Sequence, residues 1–328
     1  MILNDNNMFD VVALGELLID FTPVGRSSRG RMQFEANPGG APANVISCLS
    51  KLGKKTAFIG KVGMDMFGKT LRRALEEQEI LSDGLVIDTH LNTTLAFVHL
   101  DGEGERSFSF YRKHCADVAL KPTDIEKNLL NTRVFHFGSL SLTDEPARSA
   151  TYFALDNLSS AETLVSYDPN LRPELWESLK EARLKILEPM HQVNVLKLSS
   201  EELEFLMETN DVPSGSLELA ERYGINMIFV TMGAKGCFYR VGEHVGHVPT
   251  YKVKVVDSTG AGDGFLGGML YQILEGQNRI TAWDKDDVEE KVLFANAIGA
   301  LVSTKVGAFA SMPSYSEIMH LVTGKRDA

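Results

Sequence analysis

The stretch Asp257–Leu274, DSTGAGDGFLGGMLYQIL, joins a strand-like segment, Tyr251–Asp257 (YKVKVVD), to an apolar pattern of helical period. Gly260, Ala261 and Gly262 are small enough for backbone N–H groups to approach a phosphate closely, at the positive end of a helix dipole. Asp263 follows in the first helical turn. A carboxylate there repels a phosphate, so a pure binding loop would avoid it, whereas a base that takes a proton from an attacking hydroxyl needs that position. The same acid also suits the first turn of any helix. Residue types alone leave these two readings level.

Working outward, short apolar runs alternate with helical segments along most of the 328 residues. Strands are expected at Val11–Phe21, Thr56–Val62, Gly84–Asp88, Val134–Leu140, Thr163–Asp168, Val193–Leu198 and Met227–Met232. Helices are expected at Ala41–Gly53, Met66–Gln78, Glu145–Ser160, Pro173–Glu188, Ser200–Glu208, Gly264–Gly276 and Val288–Thr304. Continuously apolar strands between helices predict an α/β fold: three layers, doubly wound around a mostly parallel sheet, in a single domain spanning residues 1–328. Two segments break the alternation. Thr93–Arg112 reads as an antiparallel hairpin turning at DGEGE, and Thr22–Gly40 is turn-rich and ends in a short extended piece. Residues 22–36 and 94–113 together are expected to form a small β-sheet lid over a site; a pair of ordinary surface insertions is the plain alternative.

A second Gly-rich stretch competes for phosphate. Gly63–Thr70, GMDMFGKT, fits the phosphate-loop pattern G-x-x-x-x-G-K-[ST] at every fixed position. Asp65, however, stands where a helix N-cap belongs, and Phe67, Leu71 and Leu75 form an i, i+4 stripe. A helix starting there encloses the N–H groups of Gly68 and Lys69, out of reach of a triphosphate.

Hydrophobic residues make up 44% of the chain and charged residues 23%, values of an ordinary globular protein. The formal charge of −11, without a Lys/Arg run, excludes a broad nucleic-acid surface but leaves room for a local basic pocket. Cys48, Cys115 and Cys237 lie far apart without metal-ligand spacing, so reduced, buried thiols are expected. The N-terminal MILNDNNMFD has neither a basic end nor an apolar core, and the apolar run around GFLGGMLYQIL is too short for a bilayer. A cytoplasmic protein is expected.

With these residues in view, the chain resembles the PfkB, or ribokinase-like, family of ATP-dependent sugar kinases over nearly its whole length. Three blocks carry the likeness in the family's order: GELLIDF at Gly15–Phe21, NPGGAPANVISCLSKLG at Asn37–Gly53 and DSTGAGDGFLGGML at Asp257–Leu270. The resemblance implies a ribokinase-like fold, ATP with Mg2+, and Asp263 as base beside an anion-binding backbone at Gly260, Ala261 and Gly262. It implies that Asp20 binds sugar hydroxyls, with Gly39, Gly40 and Asn44 around the same substrate. The family holds ATP without a Walker-type loop, and Gly63, Asp65, Phe67 and Gly68 match its structural turn G-x-D-x-F-G.

Other positions carry over from the same resemblance. Asp168, Asn170 and Arg172 in DPNLR resemble the D-x-N-x-R segment near the sugar and the transferred phosphate. Thr231, Gly233 and Gly236 in TMGAKG match the nucleotide-side strand and turn, and Asn296 is assigned to that side too. The family's N-x-x-E falls on Ser199 and Glu202; Ser replaces Asn, so a water-mediated Mg2+ role rests on Glu202, with Ser199 near the nucleotide. Asp257, Thr259, Gly307 and Ser311 stand where many members bind a monovalent cation such as K+. A homodimer through the β lid is expected because lids of relatives often pair.

GELLIDF, PGGAPANV, FSFYRKHCADVAL and DPNLRPELW look most like the fructokinase branch. Strand alternation puts Phe108, Phe110 and Arg112 on one face of the second lid strand, with Phe110 expected against the sugar ring and Arg112 and Arg172 reaching oxygens. For Phe108, a self-packed β layer or dimer contact is the plain alternative. Two arginines also fit a carboxylate, which makes 2-keto-3-deoxygluconate kinase the nearest competitor, with nucleoside and other pentose kinases further off. A different class is a sugar-binding regulator that kept the fold and lost catalysis. Asp263 with its intact Gly-Ala-Gly loop argues against that class.

Overall fold

The computed structural model describes residues 8–100, 106–276 and 283–324. β1 (Phe9–Leu14) pairs in parallel with β4 (Thr56–Gly63) on one side and β8 (Thr132–Gly138) on the other. Beyond β4 lies β5 (Leu85–Asp88). Beyond β8 come β9 (Leu164–Asp168), β10 (Val195–Ser199) and β11 (Met227–Thr231), all parallel, and then the antiparallel β12 (Cys237–Val241) and β13 (His244–Val248).

Successive strand residues face opposite layers, which is why the strands read as unbroken apolar runs. Val12, Leu14, Phe135, Phe137, Leu196 and Leu198 join one core layer with α3 (Ala147–Asp156), α4 (Leu179–Leu187), α5 (Ser200–Met207) and α6 (Val212–Tyr223). Val11, Ala13, Val134, Val195 and Phe229 join the other with α1 (Ala41–Lys51), α2 (Met66–Glu77), α7 (Ala261–Glu275) and α8 (Lys285–Val302). A last helix, α9 (Tyr315–Gly324), covers α8. The fold is the expected three-layer, doubly wound one. In α7, a Cβ on Gly268 would lie 3.0 Å from the Ala295 Cα, so the close approach of α7 and α8 needs a residue without a side chain.

A separate four-stranded sheet has the order β3-β2-β6-β7, built from β2 (Leu18–Arg26), β3 (Met32–Gly39), β6 (Leu95–Leu100) and β7 (Arg106–Tyr111). Its β2–β3 and β6–β7 pairs are antiparallel hairpins joined by the parallel β2–β6 pair. The first hairpin is larger than the short extended piece expected from sequence. The DGEGE turn of the second lies outside the described residues.

The structure corrects several local expectations. Val11–Phe21 is two strands in two sheets, because the chain leaves β1 at Gly15, where a Cβ would come within 2.6 Å of the Pro42 Cγ. Tyr251–Asp257 is irregular despite its alternation; Val255 and Val256 are exposed, and the Val256 and Asp257 amides bond to the Ser303 carbonyl. The Pro173–Glu188 helix begins only at Leu179, after one 3-10 turn, where the Ser178 hydroxyl accepts from the Glu181 amide. The Glu145–Ser160 helix is confined to Ala147–Asp156. Sequence reading missed α6, whose pattern is interrupted by Pro213 and Gly215, and the β12–β13 hairpin, interrupted by Gly242 and Gly246.

Candidate active site

Among the described residues, a cavity of about 350 Å3 opens where the carboxyl ends of β1, β8, β9, β10 and β11 meet the amino ends of two helices. In open α/β sheets this edge, at the point where strand order reverses, is where ligands bind. The strand ends contribute Glu16, Leu140, Asn170, Arg172, Lys197, Ser199 and Thr231. α1 contributes Gly40, Ala41 and Asn44; α7 and the loop before it contribute Ser258, Thr259, Gly260, Gly262 and Asp263. The small sheet lines the cavity with Leu18, Asp20, Phe108 and Phe110. An adjoining hollow of about 420 Å3 shares Asn170, Arg172, Lys197 and Ser199 and reaches Glu201 and Glu202.

Asp263 is 6% exposed, and its Oδ2 accepts a 2.7 Å bond from the Asn44 side-chain amide. Burial pushes its pKa up to about 6 and Asp168 adds to the rise, while the Asn44 bond, Lys197 and Arg172 hold it down. Gly260 caps α7 with φ 78°, a left-handed conformation that favours glycine. Gly260 and Gly262 present backbone to the cavity, but the Ala261 N–H is engaged by the Ser258 carbonyl at 3.2 Å. Of the three expected amides, Ala261 is therefore the one turned elsewhere.

Asp20 lies across the cavity from this helix end. Burial pushes its carboxyl up to about 7, partly offset by the Arg172 guanidinium. Gly39 makes room for it, since a Cβ there would sit 2.1 Å from Asp20 Oδ2. Gly40, at φ 117°, opens α1. Glu16, not foreseen from sequence, is 3% exposed; its Oε1 accepts from the Ala41 amide at 2.9 Å and burial raises its pKa to about 7.

Asp168 is buried behind the cavity wall, and its Oδ2 accepts a 2.9 Å bond from Lys197 Nζ. Lys197 was missed, although a lysine inside the mostly apolar run VNVLKL was a signal. Burial opposes its charge, but Asp168 and Glu202 outweigh burial and keep the ammonium protonated. Arg172 sits over the Phe108 ring at 5.5 Å and donates to the Asn170 and Leu171 carbonyls. Phe108 stacks on Phe110 at 5.9 Å, so both phenylalanines pack together and face the cavity.

Two expected site residues belong to the scaffold. Arg112 lies past the end of β7 and is 4% exposed. Its guanidinium donates to Asp117 (2.6 Å), the Thr143 hydroxyl (2.7 Å) and the Leu140 carbonyl (2.8 Å), so it is not available to a sugar. Asp117 also accepts from the Thr94 hydroxyl at 2.5 Å, which ties the two roots of the β6–β7 hairpin to one carboxylate. Asn296 likewise turns into the protein, donating to the Val248 and Pro249 carbonyls.

The remaining candidates divide similarly. Ser199 and Glu202 form a capping box on α5, and Glu202 also accepts from the Leu171 amide at 2.7 Å. Thr231 reaches the cavity, whereas Gly233 and Gly236 shape the turn into β12. A Cβ on Gly236 would meet the Val248 carbonyl at 2.2 Å. Asp257 accepts from the Thr259 and Gly307 amides at 2.7 and 3.1 Å, and Ser311 donates to the Val306 carbonyl, so one loop cluster gathers all four cation candidates. In the rival phosphate loop, Asp65 caps α2 by accepting from the Gly68 amide, and the Lys69 amide bonds to the Asp65 carbonyl, as the helix reading required.

In sequence and in fold the chain is similar to known carbohydrate kinases. A family model described as pfkB family carbohydrate kinase matches residues 8–314. Fructokinase-1 of Oryza sativa subsp. japonica is 42% identical over 315 residues, covering 95% of this chain and 97% of that protein. A Xylella fastidiosa fructokinase structure with bound ATP superposes with TM-score 0.87 at 33% identity, covering 97% of this chain and 99% of the other. A Vibrio cholerae O395 fructokinase, in its fructose, ADP and calcium ion bound form, gives TM-score 0.85 at 32% identity, with 96% and 99% coverage.

Proposed function

The chain belongs to the pfkB family of carbohydrate kinases, and we propose that it transfers the γ-phosphoryl group of ATP to the primary 6-hydroxyl of D-fructose. The observation that carries this reading is a buried carboxylate, Asp263, held by Asn44 in the first turn of α7 and facing Asp20 in one cavity. Asp20 accepts hydrogen bonds from sugar hydroxyls, and Asn44 both holds Asp263 and borders the sugar. Asp263 takes the hydroxyl proton as the oxygen attacks phosphorus. The Gly260 and Gly262 amides, at the positive end of α7, stabilise charge on the transferring oxygens. Phe108 and Phe110 exclude water, which otherwise competes as acceptor.

The donors also suit the ions that accompany ATP. Each Glu202 oxygen keeps a lone pair beyond its backbone bond, enough to hold a water of hydrated Mg2+ at the edge of the hollow. Bound there, Mg2+ spreads charge on the phosphates. Asp257, Thr259, Gly307 and Ser311 supply the oxygen-rich loop that a K+ ion would occupy beside α7. We further assign a homodimer through the outer face of the small sheet, where Phe21 stacks on Phe97 at 4.8 Å and Tyr111 is 64% exposed. No helix among the described residues is long and apolar enough to cross a membrane. The assigned location is the cytoplasm.

The carboxylate-binding alternative, 2-keto-3-deoxygluconate, drew on Arg112 and Arg172 together, and of these two Arg172 lines the cavity while Arg112 is engaged by Asp117. Coupled detection of ADP with a sugar panel tests the assignment. Fructose is expected to give the highest kcat/KM, and a higher value for 2-keto-3-deoxygluconate would replace it.

A further inference from the structure

A charged ammonium inside a parallel strand is costly unless it is paired and used. Lys197 sits on β10 among Val195, Leu196 and Leu198, all fully buried, and is itself only 6% exposed. One of its three donors goes to Asp168 Oδ2 at 2.9 Å. Its remaining surface borders both the cavity and the adjoining hollow. The ammonium also stands against the first turn of α7, because a Cβ on Gly262 would come within 2.9 Å of Nζ. Glycine at 262 therefore does more than bare its own amide; it lets a cation stand beside it.

We infer that Lys197 is the cation that meets the transferring phosphoryl group, and that Asp168 is its positioning residue rather than a sugar contact. The inference rests on the kinase reading above. Asp168, Glu202, Asp263, Arg172, His136 and the buried Cys237 thiol are the charged and titratable groups around Lys197. The phosphorus–oxygen bond to ADP breaks, the bond to the sugar oxygen forms, and the hydroxyl proton goes to Asp263. Lys197 keeps its protons throughout and acts by charge and N–H donation on the oxygens in flight. With Asp168 holding the ammonium from behind, no reorganisation is needed at the moment of transfer. Asp168 Oδ1 finds no partner among the described residues, so the carboxylate is aimed at Lys197 through its other oxygen.

The test uses Lys197→Met, Asp168→Asn and the double variant, with fructose and ATP. Lys197→Met alone leaves Asp168 buried and unpaired, so its folding is at risk; the double variant removes both charges together. The double variant is expected to melt near the wild type and to lose on the order of 10²–10³-fold in kcat. Its KM for fructose and its Kd for ADP should stay within a few-fold. Because Asp168 acts through Lys197, adding Asp168→Asn to a folded Lys197→Met should cost no further activity. A double variant with kcat within about threefold of wild type, or one that fails to fold, would overturn the inference and make the pair a scaffold element. Failure of the wild type to phosphorylate any sugar would instead remove the kinase reading beneath it.

Discussion

Asn44 and Asp263 meet through one 2.7 Å hydrogen bond across 219 positions of sequence. The bond joins the first turns of α1 and α7, so on the proposed mechanism the helix bordering the sugar would also fix the base that deprotonates it. Asp263→Asn keeps the shape of this contact and removes the base. Its kcat should fall by about 10²–10⁴-fold, while calorimetry shows fructose and ATP binding nearly unchanged. Retained turnover would remove Asp263 from the role of base.

The pH profile follows from the same carboxylates. As the proposed base Asp263 must be ionised, and with its pKa raised by burial to about 6, protonation and loss of rate should set in as pH falls through that value. Asp20, raised to about 7, loses its capacity to accept two hydroxyl bonds over a neighbouring range. The acid limb of kcat/KM for fructose is expected between about 6 and 7. Asn44→Ala should move the limb upward, because the lost bond is one that lowers the Asp263 pKa.

Lys69 is exposed on α2, and its segment begins a helix rather than a phosphate cradle. Lys69→Ala should leave the KM for ATP within about twofold. Asp65→Ala should instead lower unfolding free energy by about 1–2 kcal/mol, measured in urea, because it removes the cap. The loss should reach the upper part of that range, since Asp65 also accepts from the Thr93 amide and hydroxyl.

Gly39→Ala places a methyl where Asp20 Oδ2 now lies, 2.1 Å away. The carboxylate must swing out of position, so the KM for fructose should rise at least about tenfold, the scale of one displaced hydrogen-bonded contact. Nucleotide binding in the absence of sugar should hardly change.

Arg112→Ala tests whether this arginine serves the scaffold. It strands Asp117 in the interior, where breaking a buried ion pair costs about 3–5 kcal/mol. A large fall in the melting temperature is expected, together with a KM for fructose near wild type in the protein that remains folded. A selective rise in KM would return Arg112 to the sugar.

The layers of the fold were legible because both faces of β1, β8 and β10 are covered, which writes continuous apolar runs into the sequence. The start of α2 was legible from Asp65 and the buried Leu71 and Leu75. Legibility failed where tertiary partners override local pattern. Tyr251–Asp257 alternates like a strand but has Ser303 rather than a neighbouring strand to bond. Arg112 obeys strand alternation on paper, yet β7 ends one residue earlier and Asp117 draws the guanidinium inward. Lys197 was overlooked because its partner, Asp168, lies one strand away and 29 residues back.

The Asp117 carboxylate that joins Thr94 to Arg112 gives the β6–β7 hairpin the character of a plug-in cassette. Both of its roots are fastened to that one carboxylate, and Phe108 and Phe110 on its inner face line the cavity. That fastening is separate from the Asn44–Asp263 bond that joins α1 to α7. On the proposed mechanism, Phe108 and Phe110 at the sugar and Asp263 at the phosphate therefore hang from different fastenings.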